Sequence, residues 1–175
     1  MMRNLRSFWI ILYLSPVFLC AAVIGGCAYS FTGASVPAHW KSIAIPLFDD
    51  ESNFGQPSLR EDLTNRLIQK FQQDNTLQLA DRQSANVELR GVIISIIADQ
   101  PIAVSQGAQA SRLQLTLKTR VKLIDHTTNK EVWNKDFTAT GDYPAASGPD
   151  GRQLGLETAM ENMTDDLLLE TVSAW

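Results

Sequence analysis

The sequence predicts a mixed α/β fold: a two-layer sandwich in which two helices pack on one face of a mixed four- to five-stranded sheet. Two patterns carry that expectation. In the first, Leu113, Leu115, Leu117, Thr119, Val121 and Leu123 alternate with Gln114, Thr116, Lys118, Arg120 and Lys122. That is the period of a strand with one buried face. In the second, apolar residues recur at helical steps, once at Leu59, Leu63, Leu67 and Phe71 and again at Leu156, Met160, Met163 and Leu167. Each set forms one stripe on a helix.

The elements follow in order, after a leader. Arg3 and Arg6 precede an apolar run over residues 8–24, which closes on Gly25-Gly26-Cys27. A basic end, an apolar stretch and small residues at the cut make a secretory signal peptide. A cysteine directly after the small residues resembles a bacterial lipobox. Small residues leave room for the peptidase, the Cys27 thiol takes the lipid, and the freed amino group can then be acylated. A single transmembrane helix fits less well, because the run is short and no basic residue follows it before Lys41. A plain cleaved signal beside a chance cysteine is the other alternative. The expected division is a signal peptide over residues 1–26, a lipidated tether over 27–38 and one α/β domain over 39–175.

Residues 28–38 are small, polar and turn-rich, as suits a tether. Residues 41–48, Lys-Ser-Ile-Ala-Ile-Pro-Leu-Phe, read as a strand, with Pro46 at a sheet edge or at the strand's exit. Residues 49–57 read as a polar loop. Ser58 and Glu61 have capping-box spacing and open a helix that ends near Asp74 and Asn75. Residues 77–80 make a short strand and 87–97 a longer one. Residues 99–111, with Pro101 and Gly107, read as a loop. The alternating strand comes next, then a hairpin loop over 125–130 and a partner strand over 131–143 carrying Trp133 and Phe137. A second loop, 144–151, leads into a last helix over 153–172, with Ala159, Leu168 and Val172 widening its apolar face.

Composition narrows the function. The chain of 175 residues has 15 basic and 19 acidic side chains. Cleavage before Cys27 leaves 149 residues and removes Arg3 and Arg6, so 13 basic residues face 19 acidic ones, a net charge of −6. A chain this acidic is no general nucleic-acid binder. Cys20 leaves with the signal, so no disulfide can form within the mature chain and stability rests on burial. One acyl chain holds a protein to a membrane only marginally, whereas a diacylglyceryl cysteine with a third, amide-linked chain is held almost permanently.

No catalytic or cofactor motif emerges. His39 and His126 are the only histidines, with no ligand spacing for zinc around them. Gly148-Pro-Asp-Gly151 followed by Gly155 lacks the Gly-Lys-Ser/Thr ending of a phosphate loop and reads as a turn. Asn162-Met-Thr164 matches a glycosylation sequon but falls inside a predicted helix. Asp49-Asp50-Glu51 reads as a solvated acidic loop rather than a cation site. One constellation remains. Lys118, Arg120 and Lys122 share one face of one strand at steps of about 6–7 Å, and Arg90 can join them from the neighbouring strand. A solvent-facing sheet surface needs polar residues there in any case. Three cations in a row within an acidic protein also suit a polyanion such as the phosphates of a lipid head group.

Four stretches resemble the LptE family of lipopolysaccharide-assembly lipoproteins. They are Gly26-Cys-Ala-Tyr-Ser-Phe-Thr-Gly33, the strand over 41–48, Leu59-Arg-Glu-Asp-Leu-Thr64 and Asn75-Thr-Leu77. The first, a lipidated cysteine followed closely by Tyr-x-Phe, is the most specific. The resemblance implies a non-enzymatic outer-membrane lipoprotein without a cofactor. It also implies a partner, a large LptD-type β-barrel in whose lumen the protein sits as a plug, and binding of lipopolysaccharide partly through basic residues. Lys118, Arg120, Lys122 and Arg90 are the positions matched to that role, and Ala28 after Cys27 agrees with outer-membrane sorting. The strand over 41–48 is also similar to the opening strand of periplasmic lipoproteins that build secretion rings or activate cell-wall enzymes, and a scaffold or activator of that type is the alternative.

Overall fold

The computed structural model describes residues 36–102 and 112–173. They fall within one compact unit, Ala34–Trp175. The leader, Cys27 and most of the tether lie outside the described residues, as does most of the loop expected over 99–111.

The elements are β1 (Ser42–Ala44), β2 (Asp49–Asp50), α1 (Leu59–Asp74), β3 (Gln78–Leu79), β4 (Val87–Pro101), β5 (Arg112–Asp125), β6 (Lys130–Pro144), a 3-10 turn (Ala145–Ser147) and α2 (Gly148–Ser173). Among the described residues the sheet has six strands in the order β3-β1-β4-β5-β6, with β2 also pairing to β4. β3, β1, β4 and β2 pair in parallel, while β4, β5 and β6 are antiparallel. The mixed sheet and two helices are those expected.

The sixth strand arises because the strand expected over 41–48 is broken. β1 lies inside the sheet, between β3 and β4, so Pro46 cannot continue it without losing a ladder bond. The chain leaves at residues 45–48 and rejoins β4 as β2. At the break the Phe48 N–H donates to Thr64 Oγ1 of α1 at 3.1 Å, and the Phe48 ring lies directly against Gly91 of β4. Residues 49–50, expected in a loop, therefore belong to the sheet.

α1 buries the predicted stripe completely: Leu59, Leu63, Leu67 and Phe71 are all inaccessible to solvent. Asn75 ends the helix in the left-handed region, and its N–H donates to Phe71 O at 3.0 Å. The capping box does not form. Ser58 takes helical angles, which turn its hydroxyl away from the first-turn N–H groups, and the hydroxyl donates to Asp62 Oδ2 at 2.8 Å. Glu61 instead meets Arg60 Nε at 3.1 Å.

β4 runs four residues further than expected, through Pro101. A bulge at residues 98–99 keeps Gln100 opposite Gln114, and Asp99, at φ 58°, is tied down on two sides. Tyr143 Oη donates to Asp99 Oδ1 at 2.7 Å, and Arg152 Nη2 of α2 donates to Asp99 Oδ2 at 2.5 Å. α2 also starts early, at Gly148 rather than near 153. The 3-10 turn and the positive φ of Gly148 reverse the chain, and Pro149 suits a first helical turn. Two glycines, Gly151 of the expected loop and Gly155 of the expected helix, serve close packing. Gly151 and Gly155 meet the Tyr143 ring, and Gly141 of β6 approaches the Gly155 backbone. Both helices bury their stripes in one core with Ile43, Val87, Leu89, Ile93, Leu115, Leu117, Val121 and Leu123 of the sheet.

Candidate functional site

With α1 and α2 on the core side, the opposite face of β4–β6 carries the side chains that alternate with Leu115, Leu117, Thr119, Val121 and Leu123. Register fixes which of them meet. Arg90, Lys122 and Asn134 form one row across β4, β5 and β6. Val92, Arg120 and Asp136 form the next, with Asp49 of β2 beside Val92. Ser95, Lys118 and Thr138 form the third. The four predicted cations thus lie on one face, and Arg90 does stand beside Lys122.

Their electrostatics differ. Arg120 is held by Asp136 in a two-pronged contact, Nε to Oδ1 at 2.7 Å and Nη2 to Oδ2 at 3.0 Å. The guanidinium, followed by the weaker pull of Lys118, holds the Asp136 carboxyl below the usual carboxylate range, and the same pairing raises Arg120. Arg90 is held by Glu88 on its own strand, at 2.7 and 2.9 Å. Lys118 is exposed and Lys122 half-buried, and among the described residues neither has a carboxylate within ion-pair distance. A shallow pocket of about 260 Å³ lies between these groups, lined by Asp49, Arg90, Gly91, Val92, Arg120, Lys122 and Asn134.

Sequence reasoning found the cations but not their partners. The hairpin conceals Asp136. Counting outward in step from the pair Asp125–Lys130 would set Arg120 against Lys135, but a one-residue bulge near Val132 shifts the register and brings Asp136 opposite instead. Glu88 was also unforeseen. It is fully buried and accepts from Arg82 Nε at 2.8 Å and from Arg90, while His126 Nε2 stands 3.0 Å away. A carboxylate removed from water needs such partners, and the clasp fixes Arg90 at the edge of the basic face.

The other histidine supports the entry of the chain. His39 Nε2 and Trp40 Nε1 both lie 3.2 Å from Asp125 Oδ2, and the Thr127 N–H and hydroxyl donate to Oδ1 at 2.7 and 2.6 Å. Burial pushes the Asp125 carboxyl up, but the bonds from Thr127, His39 and Trp40 outweigh it and hold the group well below its ordinary value. Residues 39–40 are thereby pinned to the β5–β6 turn. Asp50 binds its own loop, accepting from the Ser52 N–H at 2.8 Å, and Asn162 Nδ2 donates to Thr140 O at 2.9 Å. No group of three His, Cys, Asp or Glu gathers as a metal site among the described residues. Nor is any helix there long and apolar enough to cross a membrane.

Comparison with protein-family models gives a match to LptE, described as lipopolysaccharide-assembly, over residues 40–171. The chain belongs to the LptE family. The match runs from β1 into α2 and takes in three of the four stretches that carry the resemblance; the stretch over 26–33 lies outside it. Membership gives the chain a role in lipopolysaccharide assembly, in a family whose members are not enzymes. A comparison with curated protein sequences finds no match. Among solved structures, a protein from Xanthomonas campestris is similar with a TM-score of 0.55 at 12% identity, over 77% of this chain and 88% of that one. A hypothetical protein from Chlamydia trachomatis follows at 0.50 and 10%, over 75% and 93%. A variant of PelC from Paraburkholderia phytofirmans, itself a dodecamer, is similar at 0.50 and 13%, over 77% and 89%. At these identities the likeness extends to the fold alone.

Proposed function

We propose that this chain is an outer-membrane lipoprotein, acylated at Cys27, that plugs an LptD-type β-barrel and holds lipopolysaccharide on the open sheet face during its assembly at the cell surface. Family membership supports the barrel partner. The observation that carries the ligand role is the pair Lys118 and Lys122, two cations without carboxylate partners among the described residues, flanking Arg120 beside the pocket that Arg90 borders. Solvation alone asks for no particular charge along this row, and neither ammonium group is tied to a carboxylate there. Phosphate esters, by contrast, are gripped by just such mixed lysine and arginine sets. The protein does no covalent chemistry in this reading; it binds and positions.

The test reverses Lys118 and Lys122 to Glu together. Lipopolysaccharide binding should weaken at least tenfold while the thermal midpoint stays nearly unchanged, and wild-type affinity should fall as salt rises. A folded variant that binds normally would leave the face as solvated surface. Loss of barrel association with intact lipid binding would move the lysines to the protein interface. The PelC dodecamer shares the fold, so a ring-forming scaffold is the second reading. Recovery from mild detergent as a symmetric ring, rather than with one barrel, would favour it.

A further inference from the structure

Arg120 is the central cation of the basic face, yet it is already occupied. Asp136 places both carboxylate oxygens on the guanidinium fork in the way a bound phosphate would. The partners sit on different strands, directly opposite in register, so the contact is built by the sheet and not by chance rotamers. Both remain open to water, Arg120 at 59% and Asp136 at 58% exposure. An ion pair this exposed is weak, and a more highly charged anion can displace it.

We propose that Asp136 is an internal stand-in for the ligand: it occupies Arg120 when the face is empty and is displaced by a phosphomonoester, so that it sets the affinity of the site. This rests on the ligand role given to the open face above. Its neighbours define the competition. Lys118 and Lys122 flank Arg120 along β5 and draw anions in. Asp49, beside Val92 in the same row, and Glu51, whose charge also acts on Arg120, oppose them. An anion that reaches Arg120 must take over both prongs, and Asp136, once released, then repels it. The arrangement favours dianionic phosphate over a single carboxylate or a sulfate ester. It also keeps affinity moderate, which suits a protein that must pass its ligand on.

The experiment uses the full-length chain in detergent with three probes: lipopolysaccharide with its phosphates intact, the same material after dephosphorylation, and inorganic phosphate. Asp136→Asn should raise affinity for phosphorylated lipopolysaccharide about two- to fivefold, the upper part of the range set by the loss of one exposed competing charge pair. Asp142→Asn is the control. Asp142 lies on the same face of β6 but, among the described residues, accepts only from Gln114 Nε2, at 3.0 Å, so its removal changes net charge without freeing an arginine. It should shift affinity less than twofold. In an Arg120→Gln background the gain from Asp136→Asn should vanish. Equal gains at Asp136 and Asp142 would reduce the effect to net charge and overturn the proposal. So would unchanged or weaker binding by Asp136→Asn in a chain whose thermal midpoint is intact. A gain that appears equally with dephosphorylated material would remove phosphate as the displacing group and overturn it too. A gain with inorganic phosphate as well as lipopolysaccharide supports the displacement and makes the head group alone sufficient. Absence of binding by the wild type and every variant would instead fell the ligand role itself, and the stand-in with it.

Discussion

Gly141→Ala should unfold this protein more readily than any other single methyl addition on β6. A Cβ at Gly141 would lie 1.9 Å from Gly155 O, 2.8 Å from the Gly155 carbonyl carbon and 3.0 Å from Ala159 N. These are backbone atoms of α2, so no side chain can rotate away. A carbon rests against a carbonyl oxygen at about 3.3 Å, so α2 must rise locally by roughly 1.4 Å. That movement also parts Leu156 and Ala159 from the sheet, both of them buried. Overpacking alone costs about 1–3 kcal/mol, and the parted core adds to it, so the loss should reach about 3 kcal/mol. For a chain of this size that is a fall of roughly 6–12 °C in Tm. Gly155→Ala is the informative comparison. Its Cβ meets the buried Tyr143 ring, Cδ1 at 2.5 Å and Cε1 at 3.0 Å, but its nearest backbone contact is the milder 3.2 Å to Gly141 O, so a side chain rather than the helix backbone must give, and alanine regains up to about 1 kcal/mol of helix propensity. Its net loss should be smaller, about 1–2 kcal/mol. Urea and thermal unfolding followed by circular dichroism would measure both. Near-wild-type stability of Gly141→Ala, or a larger loss for Gly155→Ala, would refute the close contact between α2 and β6.

Three further predictions concern other parts of the chain. Leu67→Ala in α1 should cost about 2–5 kcal/mol, whereas Gln69→Ala on the exposed side should stay within about 0.5 kcal/mol; urea midpoints decide between them. Asp125 is held ionised in the fold, so its contribution is present above the unfolded carboxyl value near pH 4 and is lost as pH falls below it. Asp125→Asn should therefore cost about 2–3 kcal/mol at pH 7 and flatten the acid limb of the stability curve; a curve parallel to wild type below pH 4 would contradict this. Cys27→Ser should leave uncleaved precursor and abolish labelling by a fatty-acid analogue, and normal processing of that variant would remove the lipid anchor from the proposal.

The sequence was most legible where one element buries one face. The four-residue stripe of α1 and the alternation of β5 are local periodicities, and burial reproduces them at every position but Leu113, which is half-buried like Gln114 beside it. It was least legible where long-range geometry overrides local propensity. Pro46 reads as an ending, but only the position of β1 inside the sheet turns that ending into a gap between two strands. Gly151 reads as a loop residue and Gly155 as an ordinary helix position, because nothing local announces that Tyr143 and Gly141 will approach them from 8–14 positions away. The basic row was visible from its spacing alone. Its ionic state was not, since one extra residue in β6 decides whether Arg120 faces a lysine or an aspartate.

The two faces of the sheet are linked in consequence. On the core side Gly141 and Gly155 bring α2 against β6, and Tyr143 joins Asp99 and Arg152, so β4, β6 and α2 are fastened around β5. β5 is paired along nearly its full length on both sides. The spacing of Lys118, Arg120 and Lys122 is therefore set by backbone and not by flexible side chains. Upon that fixed row the two kinds of cation behave differently. Arg90 and Arg120 are held by carboxylates in planar two-pronged contacts, while the lysines keep their long stems free to search. A ligand with several phosphates would meet the lysines first and reach Arg120 only by exchanging with Asp136. Under the proposed ligand role, that order of contact would make capture fast and final binding conditional. Loosening the core side should blur that order: in Gly141→Ala the lysine-dependent, salt-sensitive capture should survive at temperatures where the chain stays folded, while the gain expected from Asp136→Asn should shrink as the β5–β6 register relaxes. Full retention of that gain in the double variant would mean that the core contact and the basic face are independent.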